Sequence, residues 1–211
     1  MPLTKNANRT KHQVRTEETQ SKILDAAGAL FSEQGFEKTQ LEEVAARAGY
    51  TRGAIYAHYA SKEDLFLALM EHRVLSKFVV MRQIVGEEPE FSKRLGIFKR
   101  WIAAQSGDHT WGILMMEFKL YALRRPESRA KLQHTFDLLF KSSGSDFIEM
   151  LVGANMDKTT RSAIERRLVI MGAIQSAVVL ESNFRPKLLP KGQLQAILEE
   201  LYEALFHDLE R

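Results

Sequence analysis

The side chains with the clearest chemical potential lie in one short segment, TRGAIYAHY at positions 51–59. On a helix, the four-residue spacing of Ile55 and Tyr59 turns both side chains inward. The outward surface then combines a cation, small and hydroxyl-bearing side chains and an imidazole, carried by Thr51, Arg52, Ala54, Tyr56 and His58. In the major groove of B-DNA, arginine can fork onto O6 and N7 of guanine, and small or hydroxyl side chains can contact a thymine methyl or a phosphate. We therefore predict that this helix reads double-stranded DNA, with Arg52 as the base reader.

Residues around this segment are candidates for phosphate contacts, which set the register on DNA but carry no sequence information. Tyr56 and His58 are predicted to hold phosphates. Lys62 lies in the first turn of the next helix, where free backbone amides add to its charge. Thr39 and Gln40 open the preceding helix, which would cross the DNA backbone. Each signal alone also fits an ordinary surface helical hairpin, but together they favour DNA binding.

Glycines and capping residues set the bounds of the helices that position these side chains. A first helix is predicted from about Thr16 to Gln34, where Gly35 supplies a left-handed stop. The sequence TQLE at 39–42 is typical of a capping box, in which the Thr39 hydroxyl and the Glu42 carboxylate satisfy free amides of a second helix. Gly49 ends this short helix, so a tight turn must follow.

A third and a fourth helix come next. Thr51 is predicted to cap the third, which runs to about Tyr59, and Ser61 to cap the fourth, which Gly86 and Pro89 close. Apolar residues recur at spacings of three and four through most of the chain, and strand-like alternation does not persist. The protein is therefore predicted to be all-α, with further helices over 90–106, 110–124, 126 to about 151, 158–182 and 190–209.

The sequence divides into three predicted parts. Four basic side chains precede the first acidic residue: Lys5, Arg9, Lys11 and Arg15. Residues 1–15 are therefore predicted to form a flexible basic arm, which could lie along phosphates or remain a solvated, disordered terminus. Residues 16–70 form the predicted helix-turn-helix DNA-binding domain. Residues 71–211 form the predicted helical ligand-binding and dimerisation domain, with the boundary inside or near the fourth helix.

Composition argues against several classes of site. The chain has 211 residues and no cysteine, which rules out disulfides, thiolate zinc sites, iron–sulfur clusters and cysteine nucleophiles. Its six histidines are scattered, and it lacks the HExxH, P-loop, GxGxxG and nucleophile-elbow motifs. We therefore expect no enzyme activity, cofactor or metal. The formal net charge of +3 is too small to indicate nucleic-acid binding by itself.

The chain is expected to be cytoplasmic and to have no membrane partner. Its longest apolar run, at 168–180, is shorter than a membrane span and is interrupted by Gln175. The first twenty residues lack the apolar core of a secretory signal.

Several segments of 16–70 carry a resemblance to a known family: ILDAA at 23–27, LF at 30–31, GF at 35–36, Thr39, VA at 44–45, AG at 48–49, TRGAIY at 51–56, HY at 58–59 and KEDL at 62–65. This stretch resembles the TetR family of repressors, because helix lengths, caps, turn glycine and outward residues agree in one register. The resemblance implies an all-helical homodimer whose helix-turn-helix domains bind a palindromic operator and whose C-terminal helices enclose an inducer pocket. It also implies DNA contacts by Thr39, Thr51, Arg52, Tyr56, His58 and Lys62. Tyr50, Ala57 and Tyr59 depart from the usual family residues, so no operator sequence is carried over.

Two apolar stripes near the end of the chain predict the dimer interface. A twofold dimer places two short recognition helices about one DNA turn apart, roughly 34–36 Å, or a multiple of it. The candidate interface residues are Leu168, Met171, Gly172, Gln175, Ser176, Val179, Leu194, Ile197, Leu198, Leu201 and Leu205. Two helices from each subunit would then form a four-helix bundle. The alternative is that both stripes cover only the subunit's own core.

An aromatic and methionine-rich region predicts the effector pocket. Its candidate residues are Phe98, Trp101, His109, Trp111, Met115, Glu117, Phe118, Tyr121, His134 and Phe136. Such residues more often form an ordinary core, and it is the family resemblance that favours a cavity for a small, largely apolar effector. Glu117 could meet a cationic ligand, but pairing with Arg124 or Arg125 is the preferred interpretation.

The expected mechanism is a shift of the fourth helix on ligand binding, which changes the separation of the recognition helices and weakens operator binding. The alternative is a ligand-independent DNA-binding regulator, or an activator, with a solid body. The sequence does not separate the two.

Overall fold

The computed structural model describes residues 11–86, 88–138, 144–153 and 156–209. Across these ranges all regular structure is helical, which confirms the predicted all-α fold class. The α-helices found there are α1 (Lys11–Gln34), α2 (Leu41–Ala48), α3 (Arg52–His58), α4 (Lys62–Val85), α5 (Phe91–Ala104), α6 (His109–Leu123), α7 (Pro126–Leu138), α8 (Gly144–Val152), α9 (Lys158–Phe184) and α10 (Leu194–Phe206). Short 3-10 turns occur at Gln105–Gly107, Lys191–Gln193 and His207–Leu209. None of the described helices is long and apolar enough to cross a membrane.

Two compact units make up the chain, Met1–Met70 and Glu71–Arg211, and their division falls within α4. The core of the first unit centres on the rings of Phe31, Phe36 and Phe66, whose centroids lie 5.4–5.7 Å apart. Each side chain is almost fully buried, and burying one phenylalanine contributes about 1.5–3 kcal/mol. The three rings come from α1, the loop after it and α4, so their contacts hold α1 and α4 together. Helix α2 in turn packs against α1.

The start of α1 differs from the prediction. The helix begins at Lys11 rather than at Thr16, because no glycine or proline lies between them to break it. Arg15, assigned to a flexible arm by the sequence, therefore lies within a helix. Lys5 and Arg9 lie outside the described residues.

The start of α2 also differs, by one residue. Its N-cap is Gln40, whose backbone N–H donates to Glu43 Oε2 at 3.2 Å. Thr39 is fully buried, and its hydroxyl donates to the Gly35 carbonyl at 2.7 Å. The predicted capping pair of Thr39 and Glu42 is therefore wrong. The Gly35 carbonyl lies just past the end of α1, where carbonyls lack helical partners. It accepts the hydrogen bond of the Thr39 hydroxyl. The start of α2 is therefore capped by Gln40 and Glu43 instead.

The predicted caps of α3 and α4 are confirmed. Thr51 Oγ1 accepts a hydrogen bond from the Ala54 N–H at 3.3 Å, and Ser61 Oγ accepts one from the Asp64 N–H at 3.1 Å. Gly86 follows the last residue of α4 with a φ of 56°. This left-handed conformation ends a helix at little steric cost only for glycine.

The core of the second unit is built by α5, α8, α9, α10 and the C-terminal half of α4. Its buried members are Met81, Val85, Leu95, Phe98, Ala103, Ile148, Leu151, Val152, Ile164, Leu168, Met171, Leu198, Tyr202 and Phe206. Lys99 on α5 is also buried, and its ammonium pairs with Glu203 on α10, with Nζ 2.6 Å from Oε2. Helix α6 packs against α7 and α9.

The helix expected over 126–151 is described in two stretches, α7 up to Leu138 and α8 from Gly144, and residues 139–143 between them lie outside the described part. One predicted helix of the second unit has the wrong start. The last helix begins at Leu194 rather than at Pro190, because a 3-10 turn occupies Lys191–Gln193.

Candidate nucleic-acid interface

A tight turn joins α2 to α3. Gly49 has a φ of 77° and donates its N–H to the Ala46 carbonyl at 3.2 Å. The Tyr50 N–H donates to the Ala45 carbonyl at 2.9 Å. Residues 49–51 therefore reverse the chain between two short helices, as the sequence predicts for a helix-turn-helix.

The two faces of α3 differ as expected. Ile55 is fully buried and Tyr59 nearly so, and this burial raises the pKa of the Tyr59 phenol above its usual value. On the other side, Thr51 and Arg52 are exposed, and Tyr56 is 43% exposed although it is a large aromatic side chain. Ala54 and His58 were also predicted to point outward, but both are half-buried.

Arg52 is the exposed cation of this surface. Its side chain is 69% exposed, and its Nε lies 3.0 Å from Glu42 Oε1 on α2. The guanidinium carbon also lies 5.3 Å from the centroid of the Tyr56 ring. The base reader predicted from the sequence is therefore accessible and has contacts with two neighbouring side chains.

Lys62 lies at the start of α4 beside this surface. Its ammonium donates to the Glu37 carbonyl at 2.7 Å and lies 4.8 Å from the Phe36 ring centroid. A cleft of about 260 Å³ is lined by Gln40, Leu41, Glu42, Tyr56, Ala60, Ser61 and Lys62. Three predicted phosphate-contacting residues, Gln40, Tyr56 and Lys62, thus line one cleft.

Thr39 does not belong to the accessible surface. Its side chain is fully buried, and its hydroxyl donates to the Gly35 carbonyl just after α1. The predicted contact of Thr39 with DNA stays a prediction. Gln40, one residue later, is exposed.

Sequence reasoning missed the position of Glu42. The sequence predicted that the Glu42 carboxylate caps the start of α2, whereas in the structure it forms an ion pair with Arg52. The signal was present as a second acidic residue, Glu43, at the position three residues after Gln40. Because Glu43 accepts the hydrogen bond of the Gln40 N–H, Glu42 is available to pair with Arg52.

The sequence pattern of the family described as "Bacterial regulatory proteins, tetR family" matches residues 23–69. This range contains the second half of α1, all of α2 and α3, and most of the part of α4 that belongs to the first unit. Residues 23–69 therefore match the N-terminal domain of the tetR family. Among the relatives of the chain are the HTH-type transcriptional regulator AcrR of Shigella flexneri, 49% identical over 65 residues, and the HTH-type transcriptional regulator TtgR of Pseudomonas putida, 41% identical over 63 residues. These matches cover 31% and 30% of this chain and 29% of each relative, so they span less than a third of either regulator.

Two solved structures of regulators match the fold over most of the chain. The fatty acid degradation regulator FadR from Bacillus halodurans has a TM-score of 0.63 at 19% identity, covering 94% of this chain and 96% of that one. FadR from Bacillus subtilis in complex with stearoyl-CoA has a TM-score of 0.56 at 18% identity, covering 86% and 96%. At these identities the likeness shows the fold alone.

The residues predicted to form an effector pocket fall into separate groups. Phe98 is buried in the core of the second unit, and Trp101 packs against that core. On α6, the rings of Phe118 and Tyr121 stack with centroids 6.1 Å apart. Trp111 lies under the Arg73 guanidinium, which is 4.5 Å from its ring centroid.

The remaining pocket candidates have mixed surroundings. Met115 and Glu117 are half-buried on α6, and Phe136 on α7 lies 5.9 Å from the ammonium of Lys119. His134 is exposed. The side chain of His109 lies outside the described part of the structure.

Five of the eleven predicted dimer residues face inward instead. Leu168, Met171, Val179, Leu194 and Leu198 are all buried within the subunit. This burial agrees with the alternative in which the two stripes cover the subunit's own core, and the predicted interface at these positions stays a prediction. Ser176, Ile197 and Leu205 are half-buried, whereas Gly172 and Leu201 are exposed.

The side chain of Gln175, another predicted interface residue, forms hydrogen bonds within the subunit. Its Nε2 donates to the Ile102 carbonyl at 3.1 Å, and its Oε1 accepts a hydrogen bond from the Tyr202 hydroxyl at 3.3 Å. Burial raises the pKa of this phenol far above its usual value. Gln175 thus links α9 to α5 and α10.

The opposite face of α9 is apolar and exposed. It carries Val169, Ile170, Ala173, Ala177 and Phe184, followed by Leu188 just after the helix. We refer to these six residues as the outer α9 face. Both faces of α9 are apolar, so a helical period alone could not tell which one is buried.

Proposed function

We propose that this tetR-family chain is a sequence-specific DNA-binding transcriptional regulator, acting as a repressor that binds a palindromic operator as a homodimer. The observation that carries the proposal is the outward surface of α3. It presents Thr51, Arg52 and Tyr56 to solvent while Ile55 anchors the helix in the core. An exposed cation on a short helix, with a second helix packed behind it, has the geometry of a major-groove reader.

The side chains divide into base and phosphate contacts. Arg52 has the donor fork that matches guanine, and Ala54 and Thr51 are small enough for a thymine methyl or a phosphate. Tyr56, His58, Gln40 and Lys62 are assigned to phosphates. Thr39 acts indirectly, by fixing the start of α2 through its bond to Gly35.

The outer α9 face supports the homodimer. Exposed apolar side chains at helical spacing leave a surface that another apolar surface can cover. A second copy placed on it by a twofold axis would contact the same residues in both subunits. Two recognition helices in fixed separation are what a palindromic operator requires.

Release by a small, largely apolar molecule is the finer part of the proposal. FadR from Bacillus subtilis, which has a similar fold, was solved in complex with stearoyl-CoA, and this supports an apolar effector. In the second unit, Arg73 on α4 pairs with Asp108 at 3.2 Å and covers Trp111 on α6. A ligand that displaces α6 would therefore disturb α4, the helix that carries both units' residues.

A second candidate is a ligand-independent regulator. The burial of Phe98 and Phe118, two predicted pocket residues, favours a solid body. Loss of a DNA complex on addition of fatty acyl-CoA or another apolar compound separates the two. Operator affinity that stays constant across a broad ligand screen would favour the ligand-independent form.

The DNA-binding role is tested by selecting preferred duplexes from a random-sequence library with the wild-type protein and measuring affinity for them at several salt concentrations. Arg52→Ala should relax base preference with a loss of roughly 1–3 kcal/mol, and Lys62→Ala should weaken all sequences evenly and lower the salt slope by about one. Arg47→Ala is the control, because Arg47 is exposed but pairs with Glu33 on α1. Failure of the wild type to enrich any sequence would contradict the function, and equal behaviour of the Arg52 and Lys62 variants would contradict the roles.

A further inference from the structure

Glu42 is an acidic side chain on a surface assigned to DNA. It lines the same cleft as Gln40, Tyr56 and Lys62. A carboxylate there repels phosphates and weakens binding to any duplex. Its presence therefore needs a reason that outweighs this electrostatic cost.

The reason is not helix capping. Glu43 receives the Gln40 backbone N–H and also the Gln34 side-chain amide, at 3.2 and 2.8 Å. The ion pair of Glu42 with Arg52 also adds little stability, since both side chains are well exposed and exposed ion pairs contribute little to folding.

The geometry of the pair indicates positioning. Glu42 Oε1 engages the Nε edge of the guanidinium, and the Tyr56 ring lies beside the guanidinium carbon. A guanidinium has five N–H donors in a rigid fork, so donors remain for a base edge after Nε is engaged. An arginine held in advance loses less side-chain freedom when it binds.

We propose that Glu42 is a specificity-determining residue that positions Arg52 for base reading and opposes binding to DNA of unrelated sequence. This inference rests on the proposed DNA-binding function. Both effects act in the same direction, because one favours the correct base and the other disfavours contacts with phosphate alone.

The test compares Glu42→Gln with the wild type on two duplexes, the one selected by the wild-type protein and a scrambled duplex of the same composition. The substitution keeps the size of the side chain and removes its charge. We expect the affinity for the scrambled duplex to rise about fivefold and the preference at the base read by Arg52 to fall by a similar factor, the changes that a surface charge pair produces.

Glu33→Gln is the matched control. It also removes one negative charge and frees an exposed arginine, Arg47, from a pair between α1 and α2, but it leaves α3 untouched. Its selected-to-scrambled ratio should stay within about twofold of the wild type. A ratio that falls as far as in Glu42→Gln would overturn the inference, because net charge alone would then account for the effect.

Two further variants separate positioning from repulsion. Glu42→Asp keeps the charge on a shorter side chain, so base preference should fall while the scrambled duplex stays weakly bound. In an Arg52→Ala background, Glu42→Gln should change base preference no further. Thermal unfolding of each variant, followed by circular dichroism, confirms that the folded protein is being measured.

The outcomes distinguish this inference from the function beneath it. A wild type that enriches no sequence removes the proposed function. A wild type that enriches a sequence, with Glu42→Gln unchanged in both ratio and base preference, overturns only the role of Glu42.

Discussion

The two units treat their apolar side chains differently. In the first unit, Tyr56 is the one large hydrophobic side chain among the described residues that is exposed. In the second unit, the described residues include exposed apolar side chains on four helices, such as Val79 on α4, Leu123 on α6, Ile170 on α9 and Leu201 on α10. The first unit thus completes its core within one chain, whereas the second retains apolar surface.

This difference is consistent with the different tasks proposed for the two units. A small domain with a complete core can offer its remaining surface to a polar partner such as DNA. A body with exposed apolar faces can be covered by another apolar surface, as in the proposed homodimer, and contiguous patches of that kind mark interaction sites. The following predictions would break or sharpen the contrast, beginning with the largest expected effect.

Truncating a ring should cost far more in the first unit than at the outer α9 face. Phe66→Ala removes the centre of the three-ring cluster and should lower the free energy of unfolding by about 3–5 kcal/mol. Phe184 is 74% exposed, so Phe184→Ala should change the stability of the dilute subunit by less than about 0.5 kcal/mol. Urea unfolding followed by circular dichroism measures both. A comparable loss for the two variants would mean that Phe184 is buried by its own chain.

A charge on the outer α9 face should dissociate the dimer. Ile170→Asp places a carboxylate in the proposed interface and should raise the dimer dissociation constant by about 100-fold or more. Val79→Asp, at a similarly exposed apolar position on α4, is the control and should leave the constant within about threefold. Sedimentation equilibrium gives the constants. Dissociation by Val79→Asp alone would move the interface to α4.

Two glycines of the first unit should respond with opposite signs. A Cβ at Gly53 would lie 3.9 Å from Thr51 Oγ1, an ordinary contact, so Gly53→Ala should stabilise α3 by up to about 1 kcal/mol. If the backbone of α3 approaches DNA closely, operator affinity should fall about tenfold. Gly49→Ala should instead destabilise by about 1 kcal/mol, since Gly49 has a positive φ. Unchanged operator binding by Gly53→Ala would argue against a close approach at that position.

The smallest expected effect concerns the buried threonine. Thr39→Val removes the bond to Gly35 and should cost about 1 kcal/mol of stability without altering the salt slope of DNA binding. Gln40→Ala, one residue along on the exposed side, should leave stability nearly intact and weaken binding to every duplex. A salt slope of DNA binding that falls by about one in Thr39→Val would instead support a direct contact between Thr39 and a phosphate.

Local signals in the first unit were strong enough to be read from the sequence. Left-handed glycine at Gly49 and hydroxyl caps at Thr51 and Ser61 each act within a few residues, so their effect does not depend on the rest of the fold. The error at Thr39 arose because a second local acceptor, the Gly35 carbonyl four residues earlier, competed for the same hydroxyl. The partnership of Glu42 and Arg52 joins two helices, and spacing along the chain does not reveal such a contact.

The second unit was less predictable for a different physical reason. Leu168 and Val169 are adjacent and both aliphatic, yet one is buried and the other exposed. When both faces of a helix are apolar, the hydrophobic pattern indicates that the segment is helical but does not show which face packs against the core. The polar contacts of Gln175 depend on residues far along the chain, which a single sequence does not bring together.

The pair of Lys99 and Glu203 constrains how α10 can dock on α5. The ammonium is buried, while its partner carboxylate is 60% exposed and reaches in from the rim. If α10 slid or rotated by one residue, the lysine would remain enclosed by hydrocarbon with its counter-charge displaced, an arrangement that costs several kcal/mol. The ion pair therefore favours one register of α10 on α5. Packings in which this leucine-rich helix is shifted along or rotated about its axis are disfavoured, because they separate the two charges.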